Sequence, residues 1–246
     1  MAKKWSLISM LMICCFLFSG EFVLAKGSVV IAEYQHDVTG DGKREMITLH
    51  GIPYSNDTKF FEKIWATIQH GDKQIKIEYE GGYEPKLDFA DLNHDGVDDI
   101  LYSSATGGSG GLYNYALHSL KNFKVQEIPL PTQHIEGYFE NGFKATILIP
   151  GLKPINLNLQ DRKEDYIRLG LFQKNGTLNE PTELMIDPIA FYEIVQVKNK
   201  GGAGLKSYRQ ISGAYHADGL GTVETIWYYN KGKWETIHTE WKSRSK

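Results

Sequence analysis

Cysteine is nearly absent. Cys14 and Cys15 are the only two, adjacent and close to the start. No disulfide can therefore staple anything beyond residue 15, and a Cys-rich zinc site is excluded. The eight histidines form no His-Glu-x-x-His pair or other close zinc spacing. A surplus of one charge is missing too. The 27 Lys and Arg against 30 Asp and Glu give a formal net charge of -3, which leaves no basic footprint for nucleic acid. Long apolar runs stop after the first 25 residues, so a multi-span membrane protein is excluded and no membrane span is expected once that segment is removed. Helix signals are sparse. Residues 161–173 have room for two or three turns, and residues 183–195 are interrupted by Pro188. No linker or low-complexity tract divides residues 26–246.

What is present begins with residues 1–25. Lys3 and Lys4 precede an uncharged, mostly apolar stretch from Trp5 to Ser19, and Val23-Leu24-Ala25 offers small residues where a signal peptidase reads. This is the layout of a secretory leader, too short in its apolar part for an ordinary span, although Phe22 to Leu24 could extend it into a retained anchor. Residues 26–246 are then one exported β-rich domain without cysteine, placed outside the cell or in its envelope.

Short stretches rich in β-branched and aromatic residues recur along this domain, broken by Gly, Asn and Asp. Trp65 to Tyr79 reads as two strands joined through His70-Gly71-Asp72. Thr222 to Tyr229 and Trp234 to Trp241 read as another pair closed by Asn230-Lys231-Gly232-Lys233, with Val223, Thr225, Trp227 and Tyr229 on one face. The expected fold is mainly β: a propeller-like or meander assembly of antiparallel hairpins with few short helices.

One nine-residue pattern occurs twice. It runs Asp37-Val-Thr39-Gly-Asp41-Gly42-Lys43-Arg-Glu45 and again Asp91-Leu-Asn93-His-Asp95-Gly96-Val97-Asp-Asp99. Side-chain oxygens fall at positions 1, 3, 5 and 9, glycine falls at position 6, and an apolar pair follows each copy (Met46-Ile47 and Ile100-Leu101). Calcium is a hard cation that takes six to eight oxygens in a flexible shell, and ligands at alternate positions let a curled loop point them inward. Position 7 then offers its backbone carbonyl, so Lys43 and Val97 can differ. An EF-hand would place its closing Glu at position 12, where this chain has Thr48 and Tyr102, and would continue into a helix. Asp-Gly is also ordinary turn chemistry, and the repetition is what favours a cation. The second copy has three Asp and one Asn ligand with Asp98 nearby, while the first puts Thr39 where Asp or Asn is usual, and Lys43 and Arg44 lower its negative potential. The second is therefore expected to bind more tightly.

Both loops resemble the calcium loops of FG-GAP and VCBS-type repeats, the Asp-x-Asn-x-Asp-Gly-x-x-Asp signature of integrin α-chain propellers and many secreted bacterial proteins. The resemblance covers about residues 30–120. It implies a structural calcium held by Asp37, Thr39, Asp41, the Lys43 carbonyl and Glu45, and a second held by Asp91, Asn93, Asp95, the Val97 carbonyl and Asp99. With only two such loops, a full seven-bladed propeller is not expected.

Other motifs are weaker. Gly107-Gly108-Ser109-Gly110-Gly111 matches the G-x-S-x-G nucleophile elbow, which needs a strand, a sharp turn and a helix. A hydrolase would use Ser109 with His118, His134, His216 or His238, or else a carboxylate pair. Lys200 to Gly204 lacks the ending of a P-loop. Tyr215, Trp227, Tyr228, Tyr229, Trp234 and Trp241 either pack a core or form an exposed sugar- or peptide-binding row. The sequence thus points to an exported, calcium-stabilised binding or structural module, with an extracellular protein or glycan as partner and a secreted hydrolase as the alternative.

Overall fold

The computed structural model describes residues 27–55 and 57–244. The leader expected at residues 1–25, both cysteines and the Asn56 position lie outside the described residues. The fold is mainly β and built from three antiparallel sheets, as the alternating pattern leads one to expect.

The first sheet contains β1 (Val29–His36), β2 (Glu45–Pro53), β3 (Phe60–His70), β4 (Lys73–Tyr79), β5 (Gly82–Ala90), β6 (Asp99–Ala105), β7 (Tyr113–Ser119) and β8 (Gln126–Glu127). Its order is β1-β2-β3-β5-β6-β7-β8, a meander with one irregularity. β3 pairs with β4 along Ile64 to His70 but with β5 at Phe60 and Phe61. The long third strand thus changes partner partway along, and the sheet splits there. The inward face carries Ile47, Leu49, Ile64, Ala66, Ile68, Ile77, Leu87, Ile100 and Tyr102, all buried in one cluster. Each fully buried Ile or Leu of this kind stabilises the fold by about 1.5–3 kcal/mol.

β9 (Glu136–Glu140), β10 (Lys144–Leu148) and β11 (Ile155–Asn158) form a small sheet. A 3-10 turn at Gln160–Arg162 and the single-turn-and-a-half helix α1 (Lys163–Arg168) follow, less helix than the 161–173 window allowed. The last sheet is β12 (Met185–Val197), β13 (Gly202–Ser212), β14 (Gly219–Asn230) and β15 (Lys233–Ser243), paired in sequence order. Pro188, which argued against a helix, sits in edge strand β12 where the register shifts between Ile186 and Ile189. Edge strands and bulges are where a sheet tolerates proline. In β14 Val223, Thr225 and Trp227 are buried, as the expected alternation requires.

The two halves of the chain share a core. Leu101 and Leu117 from the first sheet and Leu92 from its β5–β6 connection pack with Ala203, Leu205 and Trp227 from the last. β6 is therefore buried on both faces from Asp99 to Ser104, which explains its continuous apolar and small composition. Among the described residues, no helix is long and apolar enough to cross a membrane.

Candidate functional site

The two acidic repeats occupy equivalent places. Residues 37–44 join β1 to β2, and residues 91–98 join β5 to β6. Each is a tight turn held by the same skeleton of side-chain to backbone hydrogen bonds. At position 1, Asp37 Oδ2 accepts from the Gly42 amide at 2.8 Å and Asp91 Oδ2 from the Gly96 amide at 3.0 Å. At position 5, Asp41 Oδ1 accepts from Lys43 N at 2.8 Å and Asp95 Oδ1 from Val97 N at 3.0 Å. At position 9, Glu45 Oε2 accepts from Val38 N and Asp99 Oδ2 from Leu92 N, both at 3.0 Å. Gly42 and Gly96 adopt φ of 83° and 87°, the left-handed region that spares glycine a steric cost.

Position 4 is left-handed in both copies, as Gly40 (φ 78°) and His94 (φ 61°). The turns also touch. A Cβ on Gly40 would lie 2.5 Å from Val97 Cγ2, so only glycine lets the first turn rest on the second. The connection after β7 straddles them both. Lys121 donates its ammonium to the Asp95 carbonyl, Asn122 N donates to the Thr39 carbonyl at 2.9 Å, and the Phe123 ring lies 5.3 Å from that of His70.

Their surroundings differ. In the first turn, Glu45 is buried, and its Oε1 accepts from the Thr39 hydroxyl at 3.1 Å and lies 2.9 Å from His70 Nδ1. Asp41 Oδ2 is 3.7 Å from His70 Nε2. Among the described residues, the groups that bring three His, Cys, Asp or Glu ligand atoms within 4.8 Å of one another reduce to one: Asp41, Glu45 and His70. In the second turn, Asp99 is fully buried. Both its oxygens are engaged, Oδ2 by the Leu92 and Asn93 amides and Oδ1 by Asn93 Nδ2 at 3.0 Å. Burial pushes its carboxyl up to about 6, with the two amides pulling the other way. The Lys121 ammonium stands 3.6 Å from Asp95 Oδ1.

The structure therefore brings Asp37, Thr39, Asp41 and Glu45 into one turn and Asp91, Asn93, Asp95 and Asp99 into another, with Lys43 exposed and Val97 buried. The donor set, mostly carboxylate and amide oxygen, fits a hard cation such as calcium. The closest ligand group falls in the first turn, not in the acid-richer second, and Lys121 makes the second less negative than its sequence suggests. Neither His70 nor Lys121 carries a local signal for this role. His70 reads only as a hairpin residue, and Lys121 lies 26 residues from Asp95.

The other motifs resolve into structure. Ser109 is exposed in the connection from β6 to antiparallel β7, so the helix that a nucleophile elbow needs is replaced by a strand. Lys200 and Gly201 form the turn between β12 and β13. Of the C-terminal aromatics, Trp227 is buried, Trp241 packs on the core around α1, and Trp234 donates Nε1 to the Pro129 carbonyl at 2.7 Å. Tyr228 stacks on His94 at 4.1 Å and Tyr229 meets Trp234 edge-on. Tyr215 is exposed, and the rings form no continuous open row.

Comparison with known proteins adds two similarities. The family described as the YybI C-terminal domain matches residues 133–242. That span begins where the chain leaves the first sheet and excludes both acidic turns. A Bacillus subtilis (strain 168) protein named "Uncharacterized protein YybI" is 25% identical over 211 residues, covering 82% of this chain and 80% of its own. No solved structure matches.

Proposed function

We propose that the chain is an exported, calcium-stabilised β module that binds or organises a partner outside the cytoplasm and does no chemistry at its metal. The observation that carries this reading is the pair of adjacent turns with one hydrogen-bond skeleton, in which carboxylates at positions 1, 5 and 9 curl the backbone around their own oxygens. The FG-GAP-type resemblance of the same residues supports a structural cation. The leader-like residues 1–25 support export, into surroundings where calcium is plentiful and extracellular modules bind it at about 10⁻⁴–10⁻³ M. The ligands are Asp37, Thr39, Asp41, Glu45 and the Lys43 carbonyl, and Asp91, Asn93, Asp95, Asp99 and the Val97 carbonyl. Calcium would link the β1–β2 and β5–β6 connections across the Gly40–Val97 contact and so stiffen one end of the first sheet.

Thermal melts with calcium and with a chelator test it. At free calcium about a hundredfold above the dissociation constant, linkage predicts about 2.7 kcal/mol of stabilisation for each occupied site. For a domain of this size that is roughly 5–10 °C in Tm. Asp41→Ala and Asp95→Ala should each remove part of the response, and the double variant all of it. Wild-type melts that coincide with and without calcium would refute the proposal.

A further inference from the structure

The first acidic turn meets the end of the β3–β4 hairpin, and each side brings one uncommitted ligand atom to the junction. Asp41 gives Oδ1 to the Lys43 amide, and its Oδ2 accepts no hydrogen bond among the described residues. His70 places Nδ1 2.9 Å from Glu45 Oε1, and its Nε2 makes no hydrogen bond. These two atoms face each other across 3.7 Å. The gap is long for a hydrogen bond. It suits two bonds of about 2.0–2.2 Å made to one ion at a wide angle. The side chains are open to solvent, His70 by 31% and Asp41 by 35%, so an ion can enter and complete its shell with water.

What lies behind the ring sets its tautomer. Glu45 is buried, and its Oε2 is held by the Val38 amide at 3.0 Å. Its Oε1 keeps the proton of a neutral imidazole on Nδ1, which leaves the lone pair on Nε2, toward Asp41. Carboxylate, imidazole and metal in that order is the usual way a histidine ligand is oriented. The Phe123 ring, 5.3 Å from that of His70, packs beside it from the connection after β7. The donor set then narrows the ion. Calcium and magnesium take oxygen and gain little from imidazole, whereas zinc and its first-row neighbours take imidazole together with carboxylate. Charge agrees, since a divalent ion beside a neutral imidazole balances the carboxylates of Asp41 and Glu45. We propose that Asp41 Oδ2 and His70 Nε2 form a site for a divalent first-row transition ion such as zinc, with Glu45 as the positioning residue behind the histidine. Asp41 is shared with the calcium set of the preceding reading, so the first turn holds one ion or the other. The site needs the shape of that turn and does not need calcium to bind in either turn.

Zinc chloride is titrated calorimetrically into the purified protein in calcium-free buffer. Zinc binds, and His70→Gln weakens that binding about a hundredfold, Glu45→Gln about tenfold. Asp41→Asn, at an exposed position, weakens it as an independent variant. The imidazole nitrogen resonances of His70 give a readout that a merely structural role would not move. On zinc saturation Nε2 shifts while Nδ1 stays protonated. No heat at millimolar zinc overturns the proposal. So does binding that survives both His70→Gln and Asp41→Asn, or an Nε2 resonance that stays in place, because the ion is then an adventitious one elsewhere. Calcium melts of the same proteins separate the two readings, and His70→Gln keeps its calcium response. A calcium-dependent melt without zinc binding removes this site alone, whereas zinc binding with calcium-independent melts removes the calcium reading alone.

Discussion

The turn between β1 and β2 and the turn between β5 and β6 share a pattern, a backbone shape and a hydrogen-bond skeleton, yet they live in different places. The first has Gly40 to Arg44 exposed, and its carboxylates reach a histidine on the neighbouring hairpin. The second is wedged between the sheets, with His94 stacked on Tyr228 of β14 and Lys121 at its mouth. Repetition in sequence fixed the turn geometry and left the chemistry to the neighbours. The acid count along the chain favours the second turn as a cation site, whereas the ligand group assembled across the fold favours the first. Local spacing decides where the oxygens point, and long-range packing decides what else is present.

The sharpest way to break this comparison is to delete each closing carboxylate in chelated protein. Asp99→Ala leaves the Leu92 and Asn93 amides and Asn93 Nδ2 without an acceptor in a fully buried position. It should cost about 3 kcal/mol. Glu45→Ala strands the Val38 amide and the buried Thr39 hydroxyl, but the half-exposed His70 can turn to water, and about 2 kcal/mol is expected. Urea unfolding of the two variants measures both. A larger loss for Glu45→Ala would mean that the first turn, not the second, anchors the sheet. Next in size is the contact between the turns. Gly40→Ala adds a left-handed alanine and a clash with Val97 Cγ2, together about 2 kcal/mol. Val97→Ala in the same chain should recover part of that loss, a coupling that strictly independent turns would not show.

Much of this was legible in the sequence because it is local. The β14–β15 hairpin follows from alternation at Val223, Thr225 and Trp227, and the two turns follow from oxygen spacing around a glycine. The mainly β fold follows from strands broken at short intervals. The rest is long-range. Nothing near Phe60 announces that β3 changes partner, yet that change splits the first sheet. Pro188 was readable as a helix breaker but not as the bulge of an edge strand. His70 and Lys121 join the turns only because β3, β4 and the connection after β7 end at the same side of the sheet. The C-terminal aromatics could not be sorted into core and surface from spacing alone, because His94 and Pro129, which engage two of them, come from the other half of the chain.

The smallest expected effect separates the two position-4 residues. His94 holds a left-handed backbone at a cost near 1 kcal/mol. In return its ring stacks on Tyr228, a contact of about 0.5–1.5 kcal/mol, and lies so close to Gly202 that a Cβ there would meet it at 2.8 Å. Strain and stack nearly cancel, while the buried Nε2 has no partner, a cost of about 1 kcal/mol or more that either substitution relieves. His94→Gly removes strain, stack and the unmatched nitrogen together and should be about 1 kcal/mol more stable than the wild type. His94→Ala keeps the strain while losing the stack and the unmatched nitrogen, and should fall about 1 kcal/mol below the glycine variant. The gap between the two variants in urea unfolding measures the backbone strain directly. If alanine and glycine prove equal, position 4 is not strained in the second turn, and glycine at residue 40 is required by the Val97 contact alone.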